Sequence, residues 1–207
     1  MKKLFASLAT ASVLALGGCS EATQPAEKKA EAPPEPVTGR LALYRMYAAS
    51  RSWASDAEVL RLRSIDRPEV KRERGRAGAW EAYFVSAQLG RARSYTYSVV
   101  EAEGNLHLGV FAGLEEGWSG PRAGVKPFLM QALKTDSDAA YETAVKKGKK
   151  APEYIKLHPD MTVMFLLEQN NKFPQLTWRV IWGETVGTSN YSVFVDATTG
   201  EYLETMR

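Results

Sequence analysis

Chemistry in this chain has few side chains to draw on: one cysteine, Cys19, and two histidines, His107 and His158, in 207 residues. A zinc site takes three or four nitrogen, sulfur or oxygen ligands at characteristic spacing, and the sequence holds no such cluster. His107 sits in LHLGV, opposite in phase to Leu106 and Leu108, which makes it a surface side chain of a strand; His158 precedes Pro159 in a loop. No Gly-x-Ser-x-Gly elbow or phosphate-cradling glycine loop is present. The adjacent pair Glu115 and Glu116 reads as solvated loop rather than an acid/base pair. The expectation is a protein that is not an enzyme and takes no metal or cofactor.

Two basic clusters, KRERGR at Lys71 to Arg76 and KKGKK at Lys146 to Lys150, could meet anionic headgroups. Glutamate or glycine interrupts both, and such runs are more often solvated loops and helix ends. Of the five tryptophans, Trp178 and Trp182 share a face with Val180 in LTWRVIWGE, the pattern of core packing. Trp118 lies in a glycine-rich stretch and is the expected exposed contact.

Residues 1–18 have a basic start at Lys2 and Lys3 and an apolar run from Leu4 to Leu16, too short to span a bilayer, which is the pattern of a secretory signal. The Leu16-Gly17-Gly18-Cys19 stretch that follows resembles the lipobox of bacterial lipoproteins. That resemblance implies an acylated Cys19, anchored by chains worth about 0.8 kcal/mol per buried CH₂. Ser20 in place of aspartate favours the outer membrane, with the chain facing the periplasm. An acylated Cys19 leaves no thiol for catalysis. Residues 1–18 hold two of the 27 basic side chains and none of the 24 acidic ones, leaving 25 against 24, a balance that gives no reason to expect nucleic acid. Residues 19–38 are proline-rich and mixed in charge with a single large aliphatic residue, Val37, and read as a disordered tether.

The elements that must position anything functional lie beyond this tether. GRLALYRMYAASRSW carries a helical stripe of Leu41, Tyr44 and Ala48, with Met46 and Tyr47 less regular. EVLRLRSI, AWEAYFVSAQ, RSYTYSVV and LHLGVFAG then alternate with the period of strands. Residues 136–206 repeat that order. DSDAAYETAVKKGKK supplies a helix with Ala140, Ala144 and Val145 on one side, followed by TVMFLLEQ, LTWRVIWGE, NYSVFVD and EYLETM. Aligning Ala42-Leu43-Tyr44 with Ala139-Ala140-Tyr141, Trp80 with Trp178, Tyr97-Ser98-Val99 with Tyr191-Ser192-Val193, and Gly104 with Gly200 keeps a near-constant offset, the sign of a duplication. The expected fold class is α+β, with two tandem repeats at 39–113 and 135–207, each one helix packed on its own antiparallel sheet of about four strands. Residues 114–134 form a linker in which PFLMQAL is an interface segment or extra strand.

The second repeat resembles the PepSY domain in its Asp136-Ser137-Asp138-Ala139-Ala140-Tyr141 helix start, its Trp178-Arg179-Val180 strand and its Val195-Asp196-Ala197-Thr198-Thr199-Gly200-Glu201-Tyr202-Leu203 ending. The first repeat departs from this pattern at Val100-Glu101-Ala102-Glu103-Gly104, which lacks the aspartate. The resemblance implies a non-catalytic envelope module that binds a protein partner, with peptidase modulation one form of that role. The alternative is a periplasmic small-ligand or lipid carrier, which needs an apolar cavity between helix and sheet. In the last hairpin, Asp196 can accept hydrogen bonds from turn amides and Gly200 can take a positive φ. Gly104 recurs at the equivalent turn while the aspartate does not, so Asp196, Gly200 and Gly104 are expected to form turns rather than a reactive site.

Overall fold

The computed structural model describes residues 33–104 and 106–207; the leader, the lipobox and most of the tether lie outside them. A short strand, β1 (Val37–Thr38), leads into helix α1 (Gly39–Trp53). Strands β2 (Glu58–Ile65), β3 (Arg76–Ala77), β4 (Ala79–Ser86), β5 (Arg91–Ser98) and β6 (Gly109–Gly117) follow. After a 3-10 turn at Met130–Ala132 come α2 (Ser137–Lys147), α3 (Ala151–Leu157), β7 (Val163–Glu168), β8 (Thr177–Trp182), β9 (Tyr191–Asp196) and β10 (Tyr202–Met206). β1 pairs with β3, so Val37 and Thr38 belong to the fold although their composition matches the tether.

The long strands form one antiparallel sheet of eight in the order β10-β9-β8-β7-β2-β4-β5-β6. This corrects the expectation of two separate four-stranded sheets. The first long strand of each repeat, β2 and β7, lie side by side, with Arg61 opposite Glu168, Leu62 opposite Leu167 and Arg63 opposite Leu166. Two separate sheets would leave both strands as unpaired edges, with Leu62 and Leu167, each wholly buried here, stripped of each other. The seam is closed by aromatic rings. Trp80 lies 6.1 Å from Phe165 and 6.3 Å from Trp178 between centroids, and the Phe165 backbone N–H donates to Ser64 Oγ at 2.9 Å.

Both helices cover the same face of this sheet, and one core runs from Leu43 and Met46 through Trp80, Phe165 and Trp178 to Val193 and Val195. The buried face of α1 is Gly39, Ala42, Leu43, Met46 and Ser50. That is not the expected stripe, since Leu41, Tyr44 and Ala48 are exposed. The helix has the expected bounds, and Met46, named as a less regular member of the stripe, is buried, with Gly39, Ala42, Leu43 and Ser50 completing the contact face. On α2, Ala140 and Ala144 are buried and Val145 packs against the core. Of the linker, residues 114–117 belong to β6, and Phe128 exchanges two backbone hydrogen bonds with Val59 without forming a named strand.

The repeat correspondence is sharper than the sequence alignment. The caps Thr38 and Asp136 are 98 residues apart, as are Trp80 and Trp178, and their neighbours Gly39 and Ser137 meet directly. Each tryptophan indole N–H donates to a carbonyl just before a helix, Trp80 to Val37 at 3.1 Å and Trp178 to Thr135 at 2.9 Å. Trp80 stands opposite Tyr97 and Trp178 opposite Val195. Tyr97 therefore corresponds to Val195 and not to Tyr191, and Ala42 to Ala140 and not to Ala139. The Tyr-Ser-Val match at Tyr97 and Tyr191 is a coincidence of three residues.

Candidate functional site

Cys19 lies outside the described residues. Asp196 sits at the end of β9, and its Oδ1 accepts from the Thr198 N–H at 2.7 Å and the Thr199 N–H at 2.9 Å. The Gly200 N–H closes the turn on the Asp196 carbonyl at 2.9 Å, with Gly200 at φ 79°. Among the described residues the Asp196 carboxylate bonds only turn amides, while the Gly200 carbonyl accepts from the Thr143 hydroxyl of α2 at 3.2 Å. Gly104 also has φ 79°, but it lies in a longer connection between β5 and β6. Trp118 is half-buried, its backbone N–H bonded to the Gly90 carbonyl at 2.9 Å. His107 precedes β6 rather than lying in it. Its Nδ1 is 2.7 Å from Glu101 Oε1, while Glu101 Oε2 accepts from the Leu108 N–H at 2.8 Å. These two contacts, the Leu108 N–H first, hold the Glu101 carboxyl below its ordinary value. His158 caps the end of α3, its ring 4.6 Å from that of Tyr154. Among the described residues no group of three His, Cys, Asp or Glu side chains could hold a metal ion.

The feature that period-two patterning does not disclose is the outer strand β6. It terminates the sheet, and its outer edge has no strand partner among the described residues. Its inner edge pairs with β5 from Val110, opposite Tyr97, to Gly117, opposite Arg91. Between these, the register shifts: Ala112 stands opposite Tyr95 and Glu115 opposite Arg93, so Gly113 and Leu114 share the single partner Ser94. A Cβ at Gly113 would lie 2.3 Å from Ser94 Oγ, so a larger residue there would have to turn the serine hydroxyl aside. The Arg93 Nε–H donates to the Gly113 carbonyl at 2.9 Å and fixes the bulge from the helix side. Glu115 accepts from the Trp53 indole at 3.0 Å and pairs with Arg93 at 3.5 Å, tying β6 to the end of α1. The bulge turns Leu114 into water, where it is 91% exposed, and Leu108 and Val110 are exposed along the same strand approach. Glu115 and Glu116, expected in a loop, thus lie in a strand, and Glu115 is a structural tie.

The remaining concavities are polar or lie at the rim. A cleft of about 270 Å³ beside residues 66–78 is walled by Tyr141, Met161 and Phe165, and its Arg72 pairs with Asp66 at 2.7 Å. A groove of about 480 Å³ runs between α3 and β9, over Tyr154 and Tyr191.

No family model matches the chain, and no curated protein matches it. A solved structure described as a "putative lipoprotein" from Clostridium difficile 630 is similar in part, at 10% identity and a TM-score of 0.46, over 79% of this chain and 91% of that one.

Proposed function

We propose that this chain is a lipid-anchored envelope module that binds an extended segment of a protein partner along the free edge of β6. The observation that carries this reading is the edge itself. Nine residues of strand end the sheet with exposed Leu108, Val110 and Leu114, and a bound segment could pair with their backbone while its side chains meet these apolar ones. Exposed edges are ordinarily blunted by charge, proline or bulges. Here Gly109 enters the strand with a left-handed backbone (φ 82°) and the bulge, Glu115 and Glu116 protect the second half, so Val110 to Ala112 remain the regular stretch able to accept a strand. The likeness of the last hairpin to PepSY makes a secreted peptidase the first partner to test. The carrier reading has less support, because the space between helices and sheet is filled by Leu43, Met46, Trp80, Phe165, Trp178 and Trp182, all essentially buried.

A photoreactive amino acid at Val110 or Leu114 should cross-link one and the same partner in intact envelopes. The same probe at Tyr44, exposed on α1, should not. Val110→Lys, which leaves the core untouched, should abolish the adduct at Leu114. Identical adducts from Tyr44 and Val110, or an adduct indifferent to Val110→Lys, would refute the proposal.

A further inference from the structure

A second surface, independent of the β6 edge, is built by the end of α2, by α3 and by the chain's last residue. The sequence run KKGKK is unremarkable alone, but the fold adds two cations that lie far from it in sequence or beyond a helix turn. α2 ends at Lys147, Gly148 breaks it, and Lys150 takes a left-handed backbone (φ 60°) that starts α3 at an angle. Lys146, Lys147, Lys149 and Lys150 flank this bend and Lys156 lies in the last turn of α3, all exposed. β10 then delivers Arg207, whose Nη2 donates to the Lys149 carbonyl at 3.3 Å and whose guanidinium lies 5.6 Å from the Tyr191 ring centre. The Lys149 N–H is held by Thr205 Oγ1 at 2.9 Å and the Lys149 carbonyl by the Tyr191 hydroxyl at 2.9 Å, so the lysine-bearing backbone is fixed.

Two carboxylates oppose these cations, Glu142 on α2 and Glu153, which is exposed on α3 and lines the groove itself. Lys146 has an ion pair with Glu142 at 3.6 Å between side chains that are mostly exposed. Lys147, Lys149, Lys150 and Lys156 make no ion pair among the described residues. In the other basic run, two of the four cations are paired, Arg72 with Asp66 and Arg76 with Glu73. Between the lysines lies an apolar element. Tyr154 and Tyr191 stack at 4.5 Å with 16° between planes to floor the groove, and Leu157 at its lip is 75% exposed. Unpaired cations around an exposed aliphatic side chain are the arrangement that adsorbs to an anionic bilayer, the ammonium groups at the headgroups and the leucine beneath them.

We infer that this lobe docks the folded domain onto an anionic bilayer surface. The docking goes beyond the partner-binding proposal and does not depend on it. Each lysine near such a surface raises partitioning about fivefold, so neutralising three should lower it about a hundredfold.

The test uses the full chain carrying Cys19→Ser, so that no acyl anchor forms, and co-sedimentation with vesicles of phosphatidylcholine alone or mixed with phosphatidylglycerol. Tighter binding to the mixed vesicles is expected, weakening as salt rises. Lys147→Gln, Lys149→Gln and Lys156→Gln together should remove the preference, while Lys71→Gln with Arg74→Gln should leave it intact. Circular dichroism on each variant reports folding, and Leu157→Ser alone should weaken binding without changing the salt dependence. Equal binding to both vesicle types, or a preference unaffected by the triple change, overturns the inference. Lysine-dependent binding to soluble poly-glutamate that matches the vesicle affinity also overturns it, in favour of an acidic protein ligand.

Discussion

Replacing Asp136 with alanine should cost far more than an ordinary cap substitution, because this carboxylate serves two helices. Its Oδ1 accepts from the Ser137 N–H at 2.7 Å at the start of α2 and from the Arg40 N–H at 2.9 Å in the first turn of α1. Removing an aspartate cap costs about 1 kcal/mol. A second amide stripped of its partner in a site where the side chain is only 12% exposed adds about 1 to 2 kcal/mol. The ion pair with Arg40 at 3.6 Å adds little, since Arg40 is half in water. The total, about 2 to 3 kcal/mol, corresponds to a melting temperature lower by about 5 to 10 °C for a domain of this size. Calorimetry on Asp136→Ala, Asp136→Asn and Thr38→Ala separates the contributions. Asparagine keeps the accepting oxygen and should recover most of the loss. Thr38, whose Oγ1 meets the Leu41 N–H at 3.5 Å, should cost about 0.5 kcal/mol as alanine. An Asp136→Ala protein that melts within about 2 °C of the parent, or a Thr38→Ala protein equally destabilised, would refute the shared-cap reasoning.

Gly39→Ala should destabilise despite the roughly 1 kcal/mol gain in helix propensity. Its new Cβ would sit 2.7 Å from Trp178 Cη2 and 3.1 Å from the Trp80 ring, and such overpacking costs about 1 to 3 kcal/mol. Denaturant titration should show a lower midpoint, and a raised one would contradict the close seam. Asp56 is held below its ordinary 3.8 by the Ser86 hydroxyl at 2.6 Å and the Gln88 N–H at 2.9 Å. A depressed folded value means that its stabilisation is complete above the unfolded value and is lost as pH falls through the folded one. The stability difference between the parent and Asp56→Ala should therefore be flat above about pH 5 and shrink in acid; a difference that grows in acid would reverse the sign. Cys19→Ser should release the protein into the soluble periplasmic fraction once membranes are washed in high salt, which strips lysine-dependent adsorption, and retention in an integral-membrane fraction would remove the acyl anchor from the proposal.

Most strand positions were legible from alternation: Leu62 between Arg61 and Arg63, or Trp178, Val180 and Trp182 in one strand, declare a buried face without reference to partners. β6 was not, since LHLGVFAG pointed to 106–113 and the strand runs Gly109–Gly117. Strand pairing between repeats was not, since nothing in EVLRLRSI or TVMFLLEQ says whether its second edge meets water or another strand. The helix face of α1 was misread because the close approach of Gly39 to two tryptophans turns Ala42, Leu43 and Met46 inward, whereas the spacing of apolar residues pointed to Leu41, Tyr44 and Ala48. α3 escaped notice because its stripe of Ala151, Tyr154 and Ile155, which packs on the core, fits within seven residues that begin at a proline-bearing turn. The candidate site was least legible of all. An edge is defined by the neighbour it lacks, and the bulge that exposes Leu114 depends on Arg93 and Ser94, twenty residues away in sequence.

Fusion of the repeats also decides where a partner can bind. Two separate four-stranded sheets would present four edges, and joining β2 to β7 removes two of them. The survivors are the last strands of each repeat, β6 and β10, which occupy corresponding places and have diverged. β10 has five residues and a register shift at its start, and the structure ties its end to the α2–α3 junction through Thr205 and Arg207. β6 has nine residues, a bulge at its midpoint and a longer lead-in clamped by Glu101 on the Leu108 amide. A duplicated module with equivalent edges would offer two equal sites or polymerise through them. In this chain one edge is short and committed to its own helix junction, and the other is longer, open at Val110 to Ala112 and flanked by exposed leucines. That asymmetry supports a single strand-accepting site on β6 and predicts one partner segment for each chain.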